Sequence, residues 1–89
     1  MSARLNLLGA SCEREAHLGP GDIIDFLVGS VGIEVKIDGS LSSITRQLHR
    51  YAQYERIGSL ILMTTRMKHL RLPDEMNGKP LVVILVSSL

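Results

Sequence analysis

The two-residue step Gly29-Ser30 constrains this chain more than any other feature, because of what lies on either side of it. Residues 23–28 and 31–37 are rich in β-branched and apolar side chains. Glycine and a small polar residue between two such runs are the signature of a tight type II′ or I′ β-hairpin. With Gly29 and Ser30 as the turn, Val28 falls opposite Val31, Leu27 opposite Gly32, Phe26 opposite Ile33 and Asp25 opposite Glu34. Opposed residues of an antiparallel pair share a face, with Cβ atoms ~5 Å apart. Side chains alternate along a strand, so Lys36 joins Asp25 and Glu34 on that face. Two adjacent carboxylates repel each other unless a cation lies between them. A hard divalent ion with oxygen ligands, Mg²⁺ or Mn²⁺, meets that demand. Lys36 beside it can orient or help deprotonate a water. On this register Phe26, Ile33, Val35 and Ile37 are expected to form the apolar core face, and Gly32 leaves room for a ligand. The plainer alternative is that Glu-x-Lys marks an ordinary solvated strand face.

The rest of the chain supplies a single domain, residues 1–89, without linkers or repeats. Leu5–Ala10 reads as the end of a short helix, with Gly9 helping to stop it. Cys12–Leu18 alternates and reads as a first strand, with Glu13, Glu15 and His17 on one face. Gly19-Pro20-Gly21 turns it into the hairpin. Asp38-Gly39-Ser40 breaks the third strand, and Ser40 caps a helix predicted from Leu41 to about Arg56. Its apolar stripe is Leu41, Ile44, Leu48 and Ala52, and Gly58 ends it. Ser59–Thr65 is an apolar strand, and strand–helix–strand implies a parallel neighbour for strand three. Pro73, Asn77-Gly78 and Pro80 punctuate a loop before a last strand, Leu81–Val86. The predicted class is therefore α/β with a mixed sheet and flanking helices: a short N-terminal helix, a three-strand antiparallel meander, a helix, a parallel strand and an extra C-terminal strand.

An aspartate, a hairpin and Glu-x-Lys, followed by a helix carrying Gln47-Leu48-His49-Arg50-Tyr51 and then an apolar strand, resemble the PD-(D/E)XK nuclease superfamily. That group includes restriction endonucleases, Holliday-junction resolvases, VRR-NUC domains and RecB-type nucleases. The resemblance spans Glu13 to Thr65. It implies a restriction-endonuclease-like sheet and metal-dependent hydrolysis of DNA. Asp25, Glu34 and the carbonyl of Val35 would hold Mg²⁺ or Mn²⁺, and Lys36 would position the attacking water. Gln47 would reach a phosphate or metal-bound water, while Tyr51 would brace the backbone at a strand end. Residue chemistry alone leaves the alternative that Tyr51 packs as a half-buried aromatic and Gln47 caps a strand. Asp25 follows Ile24 rather than proline, and Asp22 is the rival first acid; register favours Asp25, since Asp22 would fall opposite Ile37. Met1–Ala10 holds no acidic residue where many members carry a helical Glu; the alternatives are that Glu13 or Glu15 substitutes or that a second metal site is missing.

Charge points the same way. Net charge is only +1, yet Arg46, Arg50, Arg56, Arg66, Lys68 and Arg71 cluster in one stretch opposed by Glu55 alone. An acidic pocket beside a basic shoulder suits a polyanion. Arg46 and Arg50 lie one helical turn apart, and Arg66, Lys68 and Arg71 follow the strand end where open α/β sheets bind ligands. One Phe and no Trp leave little for base stacking, so DNA would be gripped by backbone and shape. The single cysteine, Cys12, excludes an internal disulfide and fits a reducing cytoplasm. No run reaches the roughly 18 apolar residues of a membrane span, and Met1–Ala10 does not read as a signal peptide. A chain this small that is 45% hydrophobic is expected to form a homodimer, with Leu81–Val86 as the candidate edge; an ordinary buried strand is the alternative. Two other functional classes stay open: a non-catalytic nucleic-acid-binding or assembly module, and a plain structural α/β protein.

Overall fold

In the computed structural model, residues 11–89 are described. The expected helix end at Leu5–Ala10 lies outside them. Strands β1 (Cys12–Gly19), β2 (Asp22–Val28) and β3 (Val31–Lys36) form an antiparallel meander. Helix α1 (Leu41–Ala52) then crosses to β4 (Ser59–Thr64), which pairs parallel to β3. A 3₁₀ turn (Met67–Arg71) leads to β5 (Glu75–Met76) and β6 (Lys79–Leu85), the latter parallel to β4. The sheet order is β1-β2-β3-β4-β6-β5.

The hairpin register follows the reading from Gly29-Ser30 over three pairs, Val28 with Val31, Leu27 with Gly32 and Phe26 with Ile33; the fourth expected pair, Asp25 with Glu34, is not part of the ladder, which ends at Phe26 and Ile33. Gly29 takes φ 61, as the first central residue of a type II′ turn must. Ser40 Oγ accepts the Ser43 N–H at 3.1 Å and so caps α1.

The core lies on one face of the sheet. Ile44, Leu48, Tyr51 and Ala52 of α1 are buried against Ile24, Leu60, Leu62 and Leu81. This reverses the expected core face. Ile33 and Val35 are only partly buried and Ile37 is 65% exposed, whereas Glu34 is 4% exposed. The reason is the crossover. Gly32, Glu34 and Lys36 pair in register with Leu60, Leu62 and Thr64, and α1 covers the face those β4 residues occupy. The face expected to be open is thus the covered one. The room expected at Gly32 is also filled: a Cβ there would lie 2.6 Å from Ile24 Cδ1 and 2.9 Å from Ile57 Cδ1.

Helix α1 ends at Ala52 rather than near Arg56. Past it the backbone tightens, with Tyr54 N–H on Tyr51 O and Ile57 N–H on Tyr54 O. This delivers Tyr54 to Asp22 and Ile57 to the core. Gly58, expected to stop the helix, instead lies against the hairpin turn and donates its N–H to Ser30 O at 2.7 Å. The expected loop before the last strand contains a second hairpin. Asn77 (φ 52) and Gly78 (φ 79) are both left-handed, the type I′ pattern that joins β5 to β6.

Candidate active site

Asp25 sits where two ladders open. The β1–β2 pairing steps over Glu15 and Asp25, with Glu15 at φ 48, and the β2–β3 ladder has its last pair at Phe26 and Ile33. Side chains bridge the gap. The Asp25 N–H donates to Glu34 Oε1 at 3.1 Å, and the Val35 N–H donates to Asp25 Oδ2 at 2.8 Å. Lys36 Nζ lies 3.4 Å from Glu34 Oε2. Asp25, Glu34 and Lys36 are therefore linked in one contact chain.

Each carboxylate uses one oxygen on a backbone amide. Asp25 Oδ1 remains, together with Glu34 Oε2, whose cationic neighbour is Lys36. A strand residue points its N–H and C=O the same way. Since the Val35 N–H reaches Asp25, its carbonyl also faces the gap. Carboxylate and carbonyl oxygens are the donor types that a small hard cation takes. Burial pushes the Glu34 carboxyl above its ordinary range; the Asp25 N–H pulls it down, the Asp25 charge raises it and Lys36 lowers it.

The helix braces this gap. Gln47 Nε2 donates to Tyr51 Oη at 2.9 Å, and the Tyr51 hydroxyl donates to Ile23 O at 2.8 Å. Tyr51 is fully buried rather than half-buried, and its hydroxyl is pushed up to about 12 by burial and by the Glu34 and Asp22 charges. Asp22, the rival first acid, is engaged elsewhere. It accepts from Tyr54 Oη at 2.7 Å and from Arg50 Nε at 3.2 Å, and the Tyr54 hydrogen bond holds its carboxyl below the ordinary range.

Two open cavities flank the contact chain. One, of about 320 Å³, is lined by Lys36, Ser43, Arg46, Gln47 and Arg50, with Asp38 and Gly39 at the loop. The other, of about 500 Å³, is lined by Arg14, Glu15, Asp25, Phe26 and Val35, with Leu89. Lys36 opens to the first and Asp25 to the second.

The basic residues divide. Arg46 makes no ion pair among the described residues and faces the first cavity. Arg50 shares that cavity while paired with Asp22. Arg66 and Lys68 both reach Asp38, at 3.5 and 3.7 Å, so they sit at the cavity's loop side. Arg71 is exposed and lines neither cavity. Glu55 is not the sole counter-charge of the basic stretch, since Arg56 bridges to Glu13. His69 is fully buried; its ring joins Thr64 Oγ1 and Gly39 O. Sequence reasoning missed this tie, which fixes the Gly39 loop at the cavity; the Asp38-Gly39-Ser40 break was its one visible trace.

Among the described residues no group of three or more His, Cys, Asp or Glu is placed to hold a metal, and no helix is long and apolar enough to cross a membrane. Comparison of the chain with family models, with curated proteins and with solved structures finds no match.

Proposed function

We propose that this chain is a metal-dependent nuclease of restriction-endonuclease-like fold, cytoplasmic, hydrolysing DNA phosphodiester bonds with little sequence readout. The reading is carried by the gap at Asp25. Two carboxylates there exchange hydrogen bonds with the backbone, keep one oxygen each for a further ligand, and stand beside a lysine. A fold built for stability alone has no reason to bury Glu34 next to a second acid with a single lysine as counter-charge.

Asp25, Glu34 and the Val35 carbonyl would hold Mg²⁺ or Mn²⁺. Bound there, the ion supplies positive charge to a phosphoryl oxygen and a more acidic water. Lys36 orients the attacking water and stabilises charge developing on the phosphate. Gln47, anchored by Tyr51, presents its remaining amide groups to the same cavity. Arg46 and Arg50 grip neighbouring phosphates by charge and guanidinium geometry, with Arg66, Lys68 and Arg71 extending the basic shoulder.

One observation favours a second reading, a non-catalytic nucleic-acid-binding or assembly module: Lys36 and Asp25 open to different cavities. Cleavage assays on branched, nicked and linear DNA with Mg²⁺ and with Mn²⁺ decide between them. Wild type cuts and Lys36→Ala binds without cutting if the nuclease reading holds. Cutting by Lys36→Ala at the wild-type rate overturns it. DNA binding without cleavage, together with no heat of Mn²⁺ binding in calorimetry, selects the module.

A further inference from the structure

The two long edges of the sheet are built differently. On the β1 edge, Glu13, Arg14, Glu15 and His17 are exposed, and the left-handed Glu15 kinks the strand. Charge and irregularity of this kind blunt an edge against strand pairing. On the β6 edge, residues 81–86 contain no charge and no proline. Val82, Ile84 and Leu85 are 52%, 40% and 41% exposed.

The backbone shows which groups point outward. The Leu81 N–H donates away from β4, to Asp74 O, at 2.9 Å; the Val86 N–H donates inward to Thr64 O at 2.8 Å. Alternation then turns the N–H and C=O of Val83 and Leu85 outward, where no described strand pairs with them. Strand β5 pairs with Lys79 and Pro80, and among the described residues the lane beyond Leu81 is open.

We infer that residues Val82–Val86 form a homodimer edge on which a second copy of this chain adds its own β6, antiparallel, about a two-fold axis through Ile84. In that register Val83 pairs with Leu85 of the second copy and Leu85 with its Val83, giving four backbone hydrogen bonds. Val82 pairs with Val86, so the open lane is filled and both β5 strands stay clear. An antiparallel two-fold makes the contact self-complementary, and the apolar, uncharged sequence brings no like charges together. The inference stands apart from catalysis.

Sedimentation equilibrium over a concentration series tests it. Wild type is expected at twice the 9.8 kDa chain mass. Val83→Pro removes an outward N–H and leaves the β4 ladder whole, so the variant is expected to be a monomer with wild-type circular dichroism. Ile84→Lys sets two lysines face to face across the axis and is expected to be monomeric as well. Amide hydrogen exchange on unaltered protein adds a readout free of folding effects: Val83 and Leu85 are slow in the dimer and fast on dilution. A monomeric wild type at every concentration overturns the proposal and hands the edge to another protein's strand. Dimers that survive Ile84→Lys, or that leave the Val83 and Leu85 amides fast, overturn it as well.

Discussion

Asp22 and Asp25 both lie on β2, and the fold treats them in opposite ways. Asp22 is 7% exposed, yet Arg50 and Tyr54 each give it a side-chain hydrogen bond, and its carboxyl is held below the ordinary range. The acidic centre at Asp25 has no such closure. Its partner Glu34 is as buried as Asp22, but faces a second carboxylate and one lysine, and its carboxyl is pushed up. A buried carboxylate with complementary donors is held ionised by them, and removing one partner is costly. A buried carboxylate left partly unmatched is relieved by taking up a proton or by a neighbouring cation. The same strand therefore carries one acid closed off by side-chain donors and one that meets a second, partly unmatched acid.

The largest effect that can break this contrast is catalytic. Lys36→Ala is expected to lower cleavage by at least ~10²-fold, the lower end of what a positioned proton-transfer or charge-stabilising group supplies. The DNA dissociation constant is expected to stay near wild type in a binding titration.

Next comes stability. Asp22→Asn takes the counter-charge from Arg50 and weakens the Tyr54 contact, at a cost of about 1–3 kcal/mol in chemical denaturation. Asp25→Asn keeps an acceptor for the Val35 N–H and relieves repulsion. It is expected to stay within ~0.5 kcal/mol of wild type or to gain stability, while Mn²⁺ binding is lost. If both substitutions cost the same, the two acids do not differ in kind.

Tyr51→Phe is a smaller cut. It removes the hydroxyl between Gln47 and the Ile23 carbonyl, leaving both without that part-buried partner, for about 1–2 kcal/mol. Loss of cleavage beyond what Gln47→Ala causes would show that bracing β2 matters more than the glutamine itself.

How much of this was legible from the residues depends on how local the signal is. Gly29-Ser30, the Ser40 cap and the parallel β3–β4 pair follow from neighbouring residues and are found as read. The expected face shared by Asp25, Glu34 and Lys36 is not found as read: the β2–β3 ladder stops at Phe26 and Ile33, the Asp25 backbone rather than its carboxylate meets Glu34, and Asp25 and Lys36 open to different cavities. Which face is covered is a tertiary matter. Alternation separates Glu34 from Ile33 and Val35, but cannot say which set α1 will lie on. Hydrophobicity pointed to the wrong one. Gly32 carries the same lesson: it is small because Ile24, Ile57 and Leu60 converge on it, so Gly32→Ala is expected to cost about 1–3 kcal/mol as overpacking. The pairing of Arg50 with Asp22 and of Arg66 with Asp38 joins residues distant in sequence, beyond the reach of charge patterning. Asn77-Gly78 is a local hairpin signal whose first strand, Glu75–Met76, has only two residues and leaves no alternation to read.

The finest test of the comparison is the sign of the pH dependence. The Asp22 carboxyl is depressed in the folded state, so its contribution is present above the ordinary carboxylate value and is lost as pH falls through the depressed one. Glu34 runs the other way. Its folded value is raised, so the native protein keeps a proton that the unfolded chain has already released. Stability from this site therefore falls as pH rises from the ordinary glutamate value through the raised one, then levels off. Glu34→Gln abolishes that slope and leaves the Asp22 contribution intact. Above the window the variant is expected to be more stable than wild type by up to roughly 1 kcal/mol, because a neutral amide still accepts the Asp25 N–H without burying charge. Urea denaturation from about pH 2 to 8 measures both signs in one experiment, Asp22 below the ordinary carboxylate value and Glu34 above it. A variant curve parallel to wild type throughout would mean that Lys36 already neutralises Glu34, and that the acid pair at the gap is as settled as Asp22.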